Sequence, residues 1–275
     1  MLRKIVDTPG FNALVKGRHG YVLYNKNDTY VGKSIEKYGE FSEAEVSFFR
    51  QICKEGDVVV EVGANIGAHT LALSQLVGKT GRVHAFEPQR IVFQNLCANM
   101  AINSIANAEC HHAAVGAEDG FVEIPDLEYG TRANFGGISA RQFKAGHKVR
   151  LVRLDSYLDI PRLKLLKIDV EGMEQEVIDG ARGLIGRLRP VIYLENDRRD
   201  RSKNLIELLW SLDYTLFWHL PGMFNPANFA GDPENIYPEI VSVNMMCFPN
   251  SAAQNISGVQ KVLDSSYHPT RKHAP

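Results

Sequence analysis

Three acidic residues stand at or near the ends of apolar, strand-like stretches of the sequence. Glu61 lies near the end of DVVVEV, Glu87 follows RVHAF, and Asp169 lies near the end of LKLLKIDV. The carboxyl ends of parallel strands meet at one edge of a sheet, and open α/β folds bind their ligands there. We therefore expect these three carboxylates to border one ligand-binding site.

A glycine turn, GANIG, separates the first of these strands from a predicted helix. Gly63 allows a sharp turn and close approach of a ligand to the backbone at Ala64 and Asn65. Gly67 starts the helix, whose first amides lack partners within the helix and favour a negative group. Glu61 would repel a pyrophosphate but suits an ammonium group. The methionine part of S-adenosylmethionine (SAM) carries both an amine and a carboxylate and fits this turn.

Two further features fit the nucleoside part of the same ligand. Glu87 and Pro88 lie about 20 residues beyond Gly67, the separation at which an acid reaches a ribose diol. Ala114, in AECHHAAVG, is small enough to let an adenine ring lie close. Tyr38 lies in a turn that would fold over the nucleotide, although a plain surface turn explains it equally well.

Other cofactors and activities compete with this hypothesis. GANIG lacks both the G-x-G-x-x-G spacing of dinucleotide-binding proteins and the Lys-Ser/Thr pair of a P-loop. An NAD-dependent oxidoreductase would use the same fold and an acid on the ribose, but the glycine spacing and the antiparallel last strand count against it. A protein that binds SAM without transferring a methyl group is the third alternative.

Candidate catalytic residues follow the later strands of the predicted sheet. We expect Asp169 or Glu171 to act as a base, because a partly buried acid after an apolar strand needs a partner. His219, at the end of TLFWHL, is the second choice, since imidazole accepts a proton near neutral pH. We expect no metal site, although Asp169, Glu195 and Asn196 together would offer the oxygen ligands that Mg²⁺ accepts.

The histidines and cysteines give little indication of a metal site. His111 and His112 are adjacent, so on a strand they face opposite sides and cannot hold one metal ion together. We therefore expect structural roles for both. The four cysteines are isolated and form no C-x-x-C pair, which favours buried thiols in a reducing cytoplasm over a zinc site or disulfides.

Length and charge limit the classes of protein that the chain can represent. Its 275 residues suffice for one large domain with additions. Lys and Arg number 31 against 32 for Asp and Glu, so the net charge gives no reason to expect a nucleic-acid partner. No stretch reaches the ~18 apolar residues of a membrane span. The stretch after Met1 lacks the apolar block of a signal sequence, so we expect none. We expect a cytoplasmic protein without a membrane partner; a homo-oligomer is compatible with this composition.

The order of elements predicts an α/β fold with a doubly wound, mostly parallel sheet. Residues 1–56 would form an N-terminal cap or lid, residues 57–249 the main domain, and residues 250–275 a flexible tail. Short antiparallel strands would form a β insertion at about 117–154, in which Asn134, Gly136, Gly137 and Ser139 either approach the ligand or form a bulge. A proline-rich loop at about 220–240 would act as a lid, with Phe224, Phe229 and Tyr237 as an apolar wall for the acceptor.

The sequence resembles the FkbM-type family of SAM-dependent (class I) methyltransferases across roughly residues 20–249. The resemblance rests on DVVVEVGANIG, HAFEP, LLKIDVEGMEQEVIDGA and NPANF…NIY…VNMMCFP, of which KIDVEG is the most discriminating. It implies a seven-stranded sheet with a final antiparallel hairpin. It also implies O-methylation of a hydroxyl group on a sugar or a secondary metabolite, that is, a small-molecule or glycan acceptor.

The same resemblance implies roles for individual residues. It places the methionine end of SAM at Glu61, Gly63, Asn65 and Gly67, the ribose at Glu87, and the methyl-transfer site at Asp169 and Glu171.

Overall fold

The computed structural model describes residues 4–138, 146–252 and 258–270, and its centre is a sheet of eight strands. Numbered in chain order and taken from one edge to the other, these are β14 (Gln260–Lys261), β12 (Tyr214–His219), β13 (Asn244–Pro249), β11 (Val191–Glu195), β10 (Leu165–Ile168), β4 (Val58–Val62), β5 (Arg82–Phe86) and β6 (Ala108–His111).

The pairing of these strands confirms the predicted fold class. The strands β11, β10, β4, β5 and β6 are parallel neighbours, whereas β13 is antiparallel to both β11 and β12. The seven strands other than β14 thus form a doubly wound sheet with an antiparallel strand near one edge. The eighth strand, β14, comes from the tail for which the sequence predicts flexibility. It pairs with β12, and Val262 beside it is buried, which anchors this part of the tail.

Helices cover both faces of the sheet, which explains why β4 is apolar along nearly its whole length. All five residues of β4 are buried, including Glu61. The helices of the main domain are α3 (Ala68–Val77), α4 (Arg90–Ile102), α5 (Leu154–Tyr157), α6 (Glu174–Asp179), α7 (Arg182–Leu188) and α8 (Arg199–Ser211). No helix among the described residues combines the length and apolarity needed to cross a bilayer.

The N-terminal segment forms a small antiparallel sheet and two helices. Its elements are β1 (Lys4–Asp7), β2 (Asn12–Gly17), β3 (Gly20–Asn25), α1 (Val31–Tyr38) and α2 (Glu43–Ile52). The side chain of Asn99 in α4 bonds both the amide and the carbonyl of Leu23, which fixes this sheet to the main domain. Ser42 precedes α2, and its hydroxyl donates to the carboxylate of Glu45 at 2.7 Å instead of capping a backbone amide.

The β insertion forms a sheet of its own, in which β9 (His147–Val152) lies between β7 (Ala114–Val115) and β8 (Gly120–Ile124). The strand pair β8–β9 is antiparallel as predicted, whereas β7 is parallel to β9. The segment AECHHAAVG forms two strands, β6 and β7, that belong to different sheets. The chain turns after His111, where the amide of Ala113 donates to the His111 carbonyl, and then enters the second sheet.

The loop at 220–240 is bound to the N-terminal segment. The carboxylate of Glu40 accepts hydrogen bonds from the side chain of Asn225 at 2.7 Å and from the amide of Phe229 at 2.8 Å. Arg18 donates to the same carboxylate at 2.6 Å. Lys37 adds an ion pair with Asp232 at 2.9 Å. The N-terminal segment and the loop therefore form one continuous wall.

Candidate functional site

A cavity of about 400 Å³ opens at the carboxyl ends of β4, β5, β10 and β11. The N-terminal segment contributes Tyr30, Phe41 and Glu45 to its wall, and residues 240–244 close the opposite side. The predicted site residues that line it are Glu61, Gly63, Ala64, Asn65, Glu87, Asp169, Glu171 and Glu195. The structure thus brings the acids of four strand ends to one cavity.

The turn after β4 is built around Gly63. This residue has φ +83°, and an added Cβ would collide with the carbonyl of Asp169. The amides of Gly63 and Ala64 both donate to the carbonyl of Phe86, at 3.0 and 2.9 Å. These bonds hold the turn against the end of β5, where Gly63 lines the cavity.

The amides of the turn between Gly63 and Gly67 are bonded within the protein. The Asn65 amide donates to Glu87 Oε2 at 3.0 Å, and the Ile66 amide donates to the Asn65 side chain at 2.7 Å. The Gly67 amide donates to the Ala64 carbonyl at 2.9 Å. The turn is therefore a preformed rigid support, and Glu87 is fixed by it.

Gly67, Pro88 and Ala114 lie outside the main cavity. Gly67 is required for packing, because it has φ +84° and an added Cβ would press on Leu96 of α4. Pro88 and Ala114 line a second cavity of about 60 Å³, which shares Gly63 with the main one. Since most of its other lining residues are apolar, this second cavity suits a flat heterocycle.

Tyr38 does not line either cavity, so the prediction that it covers a nucleotide is wrong. The side chain is buried, its hydroxyl donates to the carbonyl of Glu234 at 2.7 Å, and it accepts from the amide of Ile236 at 2.9 Å. Its ring packs on Phe224 and Tyr237. Tyr38 therefore anchors the loop at 220–240.

The same contacts correct the predicted apolar wall of that loop. Phe224 and Tyr237 pack on Tyr38, and Phe229 is exposed, whereas Met223 and Ile240 line the main cavity. Asn134, Gly136 and Gly137 of the insertion also line it, and Ser139 lies outside the described residues.

His219 and Asn196 also lie outside both cavities. His219 Nδ1 is 2.8 Å from the hydroxyl of Tyr193, and burial lowers the pKa of this imidazole. The side-chain amide of Asn196 donates to the sulfur of Met245 at 3.4 Å. The chain direction after β11 therefore turns Asn196 away from the acids, and the ligand set Asp169, Glu195 and Asn196 does not form.

The carboxylates that do converge are those of Asp169, Glu171 and Glu195, with one oxygen of each within 4.8 Å of the others. Burial, followed by the charge of Asp169, raises the pKa of Glu171 to about 7. Arg198 donates to Glu171 Oε2 at 2.7 Å and orients this carboxylate. Burial also raises the pKa of Glu195. Three carboxylates therefore converge at one end of the main cavity, and burial favours the protonated forms of Glu171 and Glu195.

Lys167 is a site residue that sequence reasoning missed. Its Nζ lies 3.3 Å from Asp169 Oδ2 and 3.7 Å from Glu61 Oε1, at the floor of the main cavity. Burial disfavours its charge, but the carboxylates of Asp169 and Glu61 outweigh burial and raise the pKa of Lys167. Glu61 also accepts from Thr70 at 2.6 Å. The signal in the sequence was a lysine within an otherwise apolar strand, LLKI.

Glu45 is a second residue that was missed. It belongs to α2, lines the cavity and is buried. Burial raises the pKa of Glu45 to about 7, although the nearby Lys167 works in the opposite direction. The apolar periodicity of α2 gives no indication that this acid faces a ligand cavity.

Comparison with known proteins identifies the family of this chain. The family model described as the methyltransferase FkbM domain matches residues 61–216, more than half of the 275-residue chain. The chain belongs to the FkbM methyltransferase family. It is also similar to "Methyltransferase 1" of Beauveria bassiana (strain ARSEF 2860), with 28% identity over 144 residues. That match covers 44% of this chain and 57% of the relative, so the chain spans little more than half of the relative's length.

Two solved structures resemble the chain more distantly. A methyltransferase FkbM from Methylobacillus flagellatus KT has a TM-score of 0.46 at 16% identity, covering 74% of this chain and 51% of the other. A SAM-dependent O-methyltransferase from Thermotoga maritima has a TM-score of 0.48 at 13% identity, covering 88% and 94%. With TM-scores below 0.5, these likenesses are too weak to support a function.

Proposed function

We propose that the chain is a SAM-dependent O-methyltransferase that methylates a hydroxyl group of a small-molecule or glycan acceptor. Membership of the FkbM family supports methyl transfer. The observation that carries the proposal is one cavity bordered by Glu61, Gly63 and Glu87, with the acids around Asp169 and Glu171 beside them.

The two adjoining cavities fit the parts of SAM. Glu87 borders both of them and is fixed by the amides of Asn65 and Gln89, which places an acid ready for a ribose diol. Ala114 leaves room for the adenine ring, and Gly63 lets the methionine part approach the backbone. When bound, SAM supplies an electrophilic methyl group on a positively charged sulfur, which suits an acidic cavity.

Glu171 is the base in this proposal. Its pKa near 7 allows the carboxylate to receive the hydroxyl proton of an acceptor at neutral pH, and Arg198 holds it in one orientation. Asp169, which is paired with Lys167, would border the acceptor and help to position it. His219 has no role in proton transfer here, because its ring nitrogen faces Tyr193 outside the cavity.

The wall formed by the N-terminal segment and the loop at 220–240 would select the acceptor. Tyr30 and Phe41 lie on the N-terminal side, and Met223 and Ile240 on the loop side. With the polar Asn134 of the insertion, this wall suits an acceptor that presents an apolar face as well as its hydroxyl.

The test is a reaction of the purified chain with SAM and a panel of alcohols, sugars, amines and thiols. We expect release of S-adenosylhomocysteine and a methyl ether identified by mass spectrometry and NMR. A product methylated on nitrogen, sulfur or carbon would refute O-methylation. Binding of SAM without any release of S-adenosylhomocysteine would favour a binding protein, and thermal stabilisation by NAD in place of SAM would favour an oxidoreductase.

Calorimetry with S-adenosylhomocysteine tests the cofactor site directly. We expect Glu87→Ala to weaken binding at least about tenfold, equivalent to about 1.4 kcal/mol, because a ribose contact and the support of the turn are both lost. Glu118→Ala removes an exposed acid outside both cavities and serves as the control. Equal affinities of the two variants would contradict the ribose role.

A further inference from the structure

A second cluster of polar side chains lies on β5 and β6, apart from both cavities. His84 and Glu109 are register partners on these two parallel strands, and Phe86 and His111 are the next pair on the same face. One ligand atom from each of His84, Glu109 and His111 lies within 4.8 Å of the others. None of the three lines the main cavity or the smaller one.

Two of the three distances between these atoms match those between ligands of a tetrahedral metal ion. His84 Nδ1 lies 3.3 Å from His111 Nε2 and 3.4 Å from Glu109 Oε2. Bonds of 2.0–2.2 Å at tetrahedral angles separate two ligand atoms by about 3.3–3.6 Å. A metal ion seated between these atoms would therefore need little rearrangement of the two strands.

Hydrogen bonding alone does not satisfy this arrangement. His84 Nδ1 faces two acceptors, the ring nitrogen of His111 and the carboxylate of Glu109, and it can carry one proton. If that proton bonds one neighbour, the other contact sets two lone pairs against each other. If His111 Nε2 carries the proton, His84 Nδ1 faces Glu109 with a lone pair. A cation at the centre would satisfy all three atoms at once.

The surroundings orient the three side chains toward this point. The hydroxyl of Tyr157 lies 3.2 Å from His111 Nδ1 and directs the other ring nitrogen toward His84. Arg82 pairs with Glu109 Oε1 at 3.4 Å and leaves Oε2 for His84. His84 is buried, whereas the Glu109 side chain is 49% exposed, so an ion can enter from solvent on the Glu109 side.

We propose that His84, Glu109 and His111 form a binding site for a divalent transition metal such as Zn²⁺, with water in the fourth position. Two imidazoles and one carboxylate are a ligand set that Zn²⁺ accepts in proteins. The ion would join β6, the edge strand of the central sheet, to β5. Its place outside both cavities makes it a structural site that is independent of methyl transfer.

The test is calorimetric titration of the full chain with Zn²⁺ after dialysis against EDTA, with Co²⁺ absorption as a report of geometry. We expect one Zn²⁺ per chain, a tetrahedral Co²⁺ spectrum and a higher Tm with Zn²⁺. Glu109→Gln and His111→Asn should each weaken binding at least about tenfold, and Tyr157→Phe up to about tenfold through loss of orientation. Circular dichroism confirms that each variant is folded.

Two matched variants separate this site from other carboxylates. Asp126→Asn alters an exposed pair in which Asp126 lies 2.6 Å from His147. This pair is not part of a three-residue cluster among the described residues, so the variant should bind Zn²⁺ as the unaltered chain does. Glu171→Gln alters the acids of the main cavity and should also leave Zn²⁺ binding unchanged. The proposal is overturned if the unaltered chain binds no Zn²⁺, if Glu109→Gln binds it normally, or if Glu171→Gln is the variant that loses it.

Discussion

Lys167 and Glu61 are register partners on β10 and β4, and Lys167 Nζ lies 3.7 Å from Glu61 Oε1 at the floor of the main cavity. Their side chains are 3% and 1% exposed, so this pair is among the most deeply buried charges of the described chain. The same Lys167 Nζ lies 3.3 Å from Asp169. A single buried cation therefore counteracts the repulsion between acids that border the site.

We predict that Lys167→Met lowers the free energy of unfolding by about 3–5 kcal/mol, because it leaves Glu61 buried without its counter-charge. Urea unfolding measures the change. Lys203→Met is the control, since Lys203 forms an exposed pair with Glu207 at 3.9 Å and should change stability by about 1 kcal/mol at most. Similar losses in the two variants would contradict a stabilising role of the buried pair.

The buried acids predict how stability depends on pH. Burial raises the pKa of Glu45 and of Glu87 to about 7, whereas an unfolded glutamate titrates near about 4.3. Such a group stabilises the folded chain fully below about pH 4.3, and this contribution is lost as the pH rises through about 7. Glu45→Gln should therefore flatten the fall in unfolding free energy over this window by about 3–4 kcal/mol.

Urea unfolding at a series of pH values measures this difference between the unaltered chain and Glu45→Gln. Glu118→Gln, at an exposed position, should reproduce the original profile. Parallel profiles for the unaltered chain and Glu45→Gln would show that Glu45 titrates as it does in the unfolded chain.

Gly63→Ala should lower stability and abolish measurable binding of S-adenosylhomocysteine. Its positive φ costs an alanine about 1–2 kcal/mol, and the added Cβ meets the Asp169 carbonyl. Gly186→Ala is the matched control, because its Cβ would enter open space within α7 and should stabilise the chain by about 0.5–1 kcal/mol. Thermal unfolding and calorimetry together measure both effects, and normal binding by Gly63→Ala would refute the close approach of a ligand.

Glu171→Gln should lower kcat for methyl transfer by about 10²–10⁴, because the proton of the acceptor loses its base. Affinity for S-adenosylhomocysteine should stay within about twofold, equivalent to about 0.4 kcal/mol. His219→Asn should keep kcat, since His219 lies outside both cavities. Steady-state kinetics with an accepted alcohol measure kcat for both variants. A large loss of kcat in His219→Asn, with kcat kept in Glu171→Gln, would assign the role of base to His219.

The sequence predicts the parts of the site that depend on local pattern. The run of β-branched residues before Gly63 predicts β4 and the turn, and RVHAF with the acid after it predicts β5, all close to their observed limits. Parallel pairing of these strands then brings Glu61 and Glu87 to one cavity. His111 and His112 have different neighbours: His111, the last residue of β6, stacks on Phe86, and His112, in the turn that follows, stacks on Phe93.

The remaining site residues depend on contacts between distant parts of the chain. Glu45 reaches the cavity from α2, and the apolar periodicity of this helix predicts only that the helix packs on the core. The nearby Lys167 lies more than a hundred positions away in the sequence. The alternation of side chains ends where a strand ends, so the pattern does not distinguish Glu171, which faces the cavity, from Asn196, which faces Met245. The position of Tyr38 also depends on distant residues, since its hydrogen-bond partners Glu234 and Ile236 belong to the loop at 220–240.

The bonds from Glu40 to Asn225 and Phe229 have an evolutionary consequence. The residues matched by the family model, 61–216, include Glu61, Gly63 and Glu87 of the proposed cofactor site, whereas both regions joined by Glu40 lie outside that range. Under the proposed function, recognition of a new acceptor can therefore diverge while the proposed cofactor site stays constant, provided that the two regions change in concert. A chimera that exchanges substrate preference with a relative must graft both of them, because either one alone would meet a mismatched neighbour.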